Sequence, residues 1–464
     1  MKSKESIDSI RDFLENSHTN YVKVAITDID GILRGKYMHK DKFLKACQSG
    51  FGFCDVIFGW DSNDDLYELE NIWYQPKTGW HSGFPDANVK IILDSKRRIP
   101  FEDNVPLFLT QLDDEQICPR GLLEKVINRL AKNNIYAKAA LEYEFFLFKE
   151  DPKSVRQKKY KNLSSFTPGM FGYSILRNSV HSDFYKDILD MCLQMDMQLE
   201  GLHTETGPGV IEAAISVDNA IDAADKATVF KTFMKVLAQR NELMATFMAR
   251  WSEKYPGQSG HIHCSLVNDQ DQPLFGSSET GVSETMRHFL GGLQHHLPEF
   301  TLMLAPTINS YKRLIPGAWA PTNYSWGKEN RTTGIRTIMG SLQSQRIENR
   351  VGGADANPYL ALSATLGAGM LGIENKIEPL EELKGNAYEE KVNESIKTPK
   401  SLKEAIDIFK SSPSARTVFG DDFVNHFSMS REWENFQFEK NRRLFENNSE
   451  EVTKWELNRY FEII

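Results

Sequence analysis

The run Leu141-Glu142-Tyr143-Glu144-Phe145-Phe146-Leu147-Phe148 constrains the fold of this chain more than any other stretch. Its aromatic and aliphatic residues read as a core β-strand, and residues two apart in a strand share a face. Glu142 and Glu144 therefore project side by side from an element otherwise suited to the interior. Two adjacent carboxylates repel unless they share a proton or hold a cation; the alternative is an edge strand with a solvated charged face.

Three further groups bear on that choice. In Glu200-Gly-Leu-His-Thr-Glu205-Thr-Gly207-Pro208-Gly209-Val-Ile-Glu212, the Gly-Pro-Gly turn lets the segments carrying Glu205 and Glu212 lie side by side. A charged hairpin tip would explain Glu205 but not Glu212, which sits between Ile211 and Ala213. Gly257-Gln-Ser-Gly260-His261-Ile-His263-Cys-Ser265 places two histidines on one face after a glycine-rich loop that lets backbone approach a ligand. No cysteine or third histidine joins them at zinc spacing, so carboxylates as partners favour a hard ion, Mg²⁺ or Mn²⁺. Arg313, Arg331, Arg336, Arg346 and Arg350 follow, with Glu348 between the last two. Arginine forks match carboxylate and phosphate oxygens, although a solvated basic surface would use the same residues. Together, several acids, histidine and arginines describe a metal–nucleotide phosphoryl-transfer site, with no Walker A, kinase or Rossmann glycine motif.

The chain has 464 residues, enough to bury a large core, and a formal charge of −9. That acidic balance, without a long basic run, argues against nucleic acid or an anionic membrane as partner. Five widely spaced cysteines without Cys-x-x-Cys, a charged start and no long apolar span predict a reduced, cytoplasmic protein. Ala361–Ile373 is too short to cross a bilayer.

The pattern predicts a small mixed unit: a helix over 7–14, a hairpin of 21–26 and 32–38 turning at Asp30-Gly31, a helix over 41–47, and strands at 89–93 and 107–112. The polar run 113–116 is the natural boundary, dividing the chain into 1–112 and 113–464. Beyond it, Pro119 opens a helix. Strands are expected at 140–148, 210–215, 245–251 and 261–267, and helices at 183–195, 218–243 and 284–296. Residues 149–180 read as a covering loop, and the charged helices after Lys376 carry no evident chemistry.

These residues resemble the glutamine synthetase family across almost the whole chain. The matching motifs are Asp28-x-Asp30-Gly31-x-x-Arg34-Gly-Lys36, Glu142-x-Glu144-Phe-Phe, Glu205-x-Gly-Pro-Gly-x-x-Glu212 and His261-x-His263-x-Ser265-Leu. Asn309-Ser-Tyr-Lys-Arg313-Leu-x-Pro316-Gly, Asn330-Arg331, Arg346-x-Glu348-x-Arg350 and Asp355-Ala-Asn357-Pro358-Tyr359 complete the series. The resemblance implies an α+β chain, with a β-grasp-like N-terminal domain and a larger catalytic domain of antiparallel sheet and helices. It also implies active sites between subunits of a ring-shaped homo-oligomer, a dodecamer of two hexamers. Carried over by motif, Glu144, Glu205 and Glu212 would hold one Mg²⁺ or Mn²⁺, and Glu142, His261 and Glu348 another. Gly257, Arg313 and Arg350 would meet glutamate. Arg331, Arg336 and Arg346 would face phosphates, and His263 and Ser265 would lie by ATP. Arg331, Asp61 and Glu212 form the implied catalytic set. The implied reaction activates the γ-carboxylate of glutamate as γ-glutamyl phosphate and condenses it with an amine.

Two places depart from the family pattern. Where glutamine synthetases carry a glutamate directly before Ala-Pro, which helps take the proton from ammonium, this chain has Trp319 before Ala320-Pro321. An indole cannot act as that base, but offers an apolar or cation–π face to an alkylammonium. The family's Asp-Gly-Ser-Ser run is replaced by Trp60-Asp61-Ser62-Asn63-Asp64-Asp65, in which Asp61, Asp64 or Asp65 could be the amine-binding acid. The expectation is a ligase for an organic amine (a polyamine, alkanolamine or alkylamine). An ordinary ammonium-using glutamine synthetase is the alternative, and a non-catalytic structural or sensor homologue the third reading. Tyr388 lies near the family's adenylylation region without its Asn-Leu-Tyr-Asp-Leu-Pro motif, so that regulation is not expected.

Overall fold

A computed structural model describes residues 5–68, 73–113, 116–276, 281–444 and 451–464. Residues 114 and 115 of the expected boundary, and the charged residues 1–4, lie outside the described residues.

The first 112 residues build one sheet from β1 (Tyr21–Thr27), β2 (Leu33–His39), β3 (Phe51–Cys54), β4 (Asp86–Ile91), β5 (Arg97–Ile99) and β6 (Val105–Leu112), in the order β2-β1-β6-β4-β3 with β5 on β6. β1 and β2 form the expected hairpin, antiparallel and in register from Tyr21–His39 to Thr27–Leu33. Its turn is tied by Asp28, whose carboxylate accepts the amides of Asp30 and Ile32, while Gly31 takes a left-handed φ of 84°.

A nine-stranded sheet follows, made of β7 (Tyr136–Phe148), β8 (Leu199–Thr204), β9 (Val210–Ile215), β10 (Asp218–Asn219), β11 (Met244–Thr246), β12 (Gly260–Val267), β13 (Trp326–Lys328), β14 (Ile335–Ile338) and β15 (Arg346–Asn349). Its main path runs β13-β14-β15-β12-β7-β9-β8. Strict alternation along β7 buries Ala137, Ala139, Leu141, Tyr143 and Phe145 on one face. That face meets the helix Ala220–Arg240, where Phe230 stacks on Tyr143 with ring centroids 6.5 Å apart. Glu142 and Glu144 are thereby turned to the opposite face. Behind the sheet, helices Glu284–Leu304 and Pro358–Asn375 cross closely enough that a Cβ on Gly292 would come within 2.3 Å of the Ala368 carbonyl. The fold is α+β, with small and large sheets each flanked by helices.

Four expectations are corrected. The strand expected at 245–251 is only Met244–Thr246, because the chain then leaves the sheet for the loop that carries Gly257. Residues 149–180 are not simply a loop: Asp151 caps a helix Pro152–Gln157, and Ser174 caps Ile175–Val180. The helix beginning at Glu284 does not stop at His296 but runs through Pro298 to Leu304. The region after Lys376 is also not inert. Its Arg431 pairs with Asp30 at 2.6 Å, and Arg459 bridges Glu434 and Asp61, both at 2.6 Å. All of these side chains are buried, so the C-terminal helices clamp the small sheet to the large one through charge.

Removing one partner from a buried charge network strands the others without water, at a cost of roughly 3–5 kcal/mol. Arg459→Met is therefore expected to lower the unfolding free energy, measured by denaturant titration, by that amount. A variant as stable as the parent would show that Asp61 and Glu434 need no counter-charge.

Candidate active site

Sheet register gathers the chemistry. His261 on β12 pairs with Glu142 on β7, Glu144 pairs with Glu212 on β9, and Glu212 pairs in turn with His203 on β8. On the other side of β12, Glu348 of β15 pairs with His263 and with Arg336 of β14. Because pairing residues point to the same face, acids and histidines from five neighbouring strands converge.

Two groups of donor atoms result, each with atoms all within 4.8 Å of one another: Glu142, His261 and Glu348, and His203, Glu205 and Glu212. In the first, His261 Nδ1 lies 3.1 Å from Glu142 and 3.4 Å from Glu348. In the second, His203 Nε2 lies 3.4 Å from Glu212 and 3.9 Å from Glu205, buried and without a hydrogen-bond partner. Glu144 shares the face, but its carboxylate accepts the Ser259 amide at 2.7 Å, and His203 stands in the second group where the motif implied Glu144.

The first group, Glu205 and Glu212 of the second, and four of the arginines line one cavity of about 470 Å³, with His203 just behind it. Arg336 donates to Glu348 at 3.1 Å, and Arg350 also pairs with Glu348. Arg313 is buried, donating to the Val351 carbonyl at 2.8 Å and to Ser259 Oγ at 3.0 Å. Arg331 lines the same cavity, and so does Gly257, where a Cβ would meet the Ala249 carbonyl at 2.6 Å and Arg313 Cγ at 2.7 Å. Trp319 stands at the outer wall, 66% exposed. A second cavity of about 390 Å³ shares Glu142 and His263 with the first and contains Ser265 and Arg346. Arg346 Nε there faces His263 Nδ1 at 3.3 Å.

Asp61 is not brought to this cavity. Its carboxylate is buried against Arg459 and accepts the Trp433 indole N–H at 2.7 Å. It also accepts the amides of Asn63 and Asp65, a turn that leaves Asp64 and Asp65 at the surface. Sequence reasoning missed His203 and Tyr173. His203 was legible, since it lies two residues before Glu205 and so on the same strand face; Tyr173, in an irregular segment, has no periodic signal.

The electrostatics are those of a site short of positive charge. Burial works to raise the Glu142 carboxyl, but the imidazoles of His261 and His263 outweigh it and hold Glu142 well below the usual range. Glu348 is likewise held near about 2, with burial opposed by His261, Arg350 and His263. Glu212 takes the remaining strain. Burial, together with the charges of Glu142, Glu144, Glu205 and Glu348, pushes it up to about 10. The donor set of carboxylates plus imidazole, with an orphaned His203 nitrogen, fits hard divalent cations.

The comparisons agree with this geometry. Residues 116–460 match the glutamine synthetase catalytic domain. A type-1 glutamine synthetase 2 of Dictyostelium discoideum is 41% identical, over 98% of this chain and 86% of that one. A glutamate–isopropylamine ligase of a Pseudomonas species is 34% identical, over 100% and 99%. A gamma-glutamylethanolamide synthetase of Streptomyces coelicolor is 32% identical, over 95% and 92%. The solved structure of apo GmaS shares the fold, with a TM-score of 0.79 over 98% of both chains at 24% identity. The fold and site are thus those of an ATP- and divalent-metal-dependent carbon–nitrogen ligase. The chain belongs to the glutamine synthetase family. Among the described residues no helix is long and apolar enough to cross a membrane, and the five cysteines are free.

A pH dependence follows. Glu212 binds its proton more tightly folded than unfolded, so the folded chain holds the extra proton between its ordinary value near 4.5 and about 10. The stability this proton confers is complete at low pH and is lost as pH rises through that window. The metal-free protein should therefore melt at falling temperature from pH 6 to pH 9, with Mg²⁺ flattening the slope and Glu212→Gln reducing it. An identical slope in Glu212→Gln would exclude this origin.

Proposed function

We propose that this chain is a glutamate–amine ligase whose acceptor is an organic amine rather than ammonium. The observation that carries the reading is Trp319, at the outer wall of the cavity in the position where the family's proton-accepting glutamate stands. A neutral indole there favours an alkyl chain beside the reacting nitrogen and offers nothing to a bare ammonium beyond its π-face. The isopropylamine and ethanolamide relatives support the same reading, because each name records an organic amine as acceptor. The Dictyostelium relative favours the second reading, a glutamine synthetase that uses ammonium.

In the proposed reaction Gly257, Arg313 and Arg350 bind glutamate and aim its γ-carboxylate at the terminal phosphorus of ATP. Divalent cations held by Glu142, His261 and Glu348, and by His203, Glu205 and Glu212 with Glu144 beside them, would supply charge neutralisation for that transfer. Arg331 and Arg336 stabilise the charge that spreads over the phosphoryl oxygens. His263, Ser265 and Arg346 line the cavity assigned to the nucleotide. A γ-carboxylate oxygen forms the new P–O bond as ADP leaves. The amine nitrogen then attacks the acyl carbon, and phosphate departs and takes up the proton the amine gives up. Water must be kept from the acyl phosphate, a task that suits the segment over residues 149–180. Asp61 is withdrawn from the acceptor role by its pairing with Arg459, which leaves the exposed Asp64 and Asp65 as the acids able to reach a neighbouring subunit. The reading carries with it the division at 112/113, a ring of subunits with shared sites, and a cytoplasmic location.

The test is mass spectrometry of the product from ATP, glutamate and Mg²⁺ with equimolar ammonium and isopropylamine. The γ-glutamyl isopropylamide should dominate, and glutamine alone would establish the second reading. Trp319→Glu should shift the product ratio toward glutamine by about tenfold, the equivalent of about 1.4 kcal/mol.

A further inference from the structure

We propose that the acceptor is a small monoamine with an uncharged tail, an alkylamine or alkanolamine, and that Tyr173 and Trp319 together select it against diamines and polyamines. This rests on the ligase reading above and narrows its acceptor.

Charge is distributed unevenly around the cavity. Its acids are Glu142, Glu144, Glu205, Glu212 and Glu348. Four of them belong to the two donor groups, and Glu144 is held by the Ser259 amide. None of these is left to meet a second ammonium group, and an acid reaching in from a neighbouring subunit, Asp64 or Asp65, would serve the reacting nitrogen. The outer wall is instead neutral, formed by Tyr173, Thr206, Val210, Pro256, Ala318 and Trp319. Four arginines, Arg313, Arg331, Arg336 and Arg350, line the same cavity. A distal ammonium would lose its hydration beside these cations with no carboxylate to replace it, whereas a methyl or hydroxyl tail would not. The same 470 Å³ must also take glutamate and the terminal phosphate, so the tail is short.

The two aromatic side chains are placed deliberately. Tyr173 has a φ of 55° and Trp319 a φ of 58°, both in the left-handed region that bulky residues rarely occupy. Such strain persists where the surroundings over-determine it, characteristically at ligand clamps. Around Tyr173 they do. Its amide donates to the Thr204 carbonyl at 2.7 Å, and the Ser174 amide donates to Thr204 Oγ1 at 2.8 Å. The ring lies flat on His203, with centroids 4.3 Å apart and planes within 10°. Its stacked face is thus fixed beside the second donor group, while 67% of the residue stays open to a ligand. Trp319, also mostly exposed, follows Gly317, whose φ of 79° and open surroundings let this wall close over a bound tail.

Initial rates of phosphate release test the idea with isopropylamine, ethanolamine, putrescine and ammonium as acceptors, in the parent, Tyr173→Ala and Tyr173→Phe. The parent should use isopropylamine or ethanolamine with a kcat/KM at least about tenfold above putrescine. Tyr173→Ala should raise the KM of the preferred monoamine by about tenfold while the KM of glutamate holds, and Tyr173→Phe, which keeps the ring, should restore it. A preference for putrescine would overturn the inference while leaving the organic-amine reading intact, and would require an acid from a neighbouring subunit. An unchanged amine KM in Tyr173→Ala would overturn the role of Tyr173. Turnover with ammonium alone, or with none of the four, would overturn the organic-amine reading itself.

Discussion

Repulsion among five carboxylates on one face of a β-sheet organises this protein. Glu142, Glu144, Glu205, Glu212 and Glu348 cannot move apart, because each is anchored on or beside a strand whose register is held by backbone hydrogen bonds. The excess charge is met instead by two histidines against Glu142, two arginines against Glu348, an amide against Glu144, and a retained proton on Glu212. A cluster so balanced is costly to keep empty and is ready for divalent cations. The aromatic packing behind β7, where Tyr143 and Phe145 meet Phe230 and Phe247, is what makes that arrangement rigid.

The same principle recurs between the two sheets. The side chains of Asp28, Asp30 and Asp61 from the first sheet's loops are buried; Arg34 meets Asp28 locally, and the other two charges are met from far along the chain. Arg431 takes Asp30, Arg459 takes Asp61, and Asn357 donates to the Asp28 and Ile29 carbonyls. Asn357 also caps the helix Pro358–Asn375, so the motif Asp355-Ala-Asn357-Pro358 joins helix start and hairpin turn in one contact. The pairing of these acids sets how the small sheet is carried relative to the large one.

The two sides of the cavity are built differently. The floor consists of strands, and its polar atoms are fixed by register. The outer wall consists of irregular segments around Tyr173 and Trp319, both in left-handed backbone conformations. Chemistry that must be the same for every substrate suits the rigid floor, and acceptor choice suits the loops.

Much of this was legible in the residues alone. Period-two alternation put Glu142 with Glu144 and His261 with His263, and the apolar remainder of each strand said which face was core. Both follow from local geometry that no tertiary contact can reverse without exposing Phe145 or Ile262. The same alternation would have revealed His203 beside Glu205. Tertiary structure alone decided that His203 stands with Glu205 and Glu212 in one donor group, because that depends on how β8 and β9 pair across the Gly-Pro-Gly turn. It alone buried Asp61 against Arg459, which is 398 residues distant in sequence (459 − 61), and no local pattern links them. It alone brought Tyr173 to the cavity, because a loop's position is set by the surface it packs on, here Thr204 and His203, rather than by any periodicity of its own.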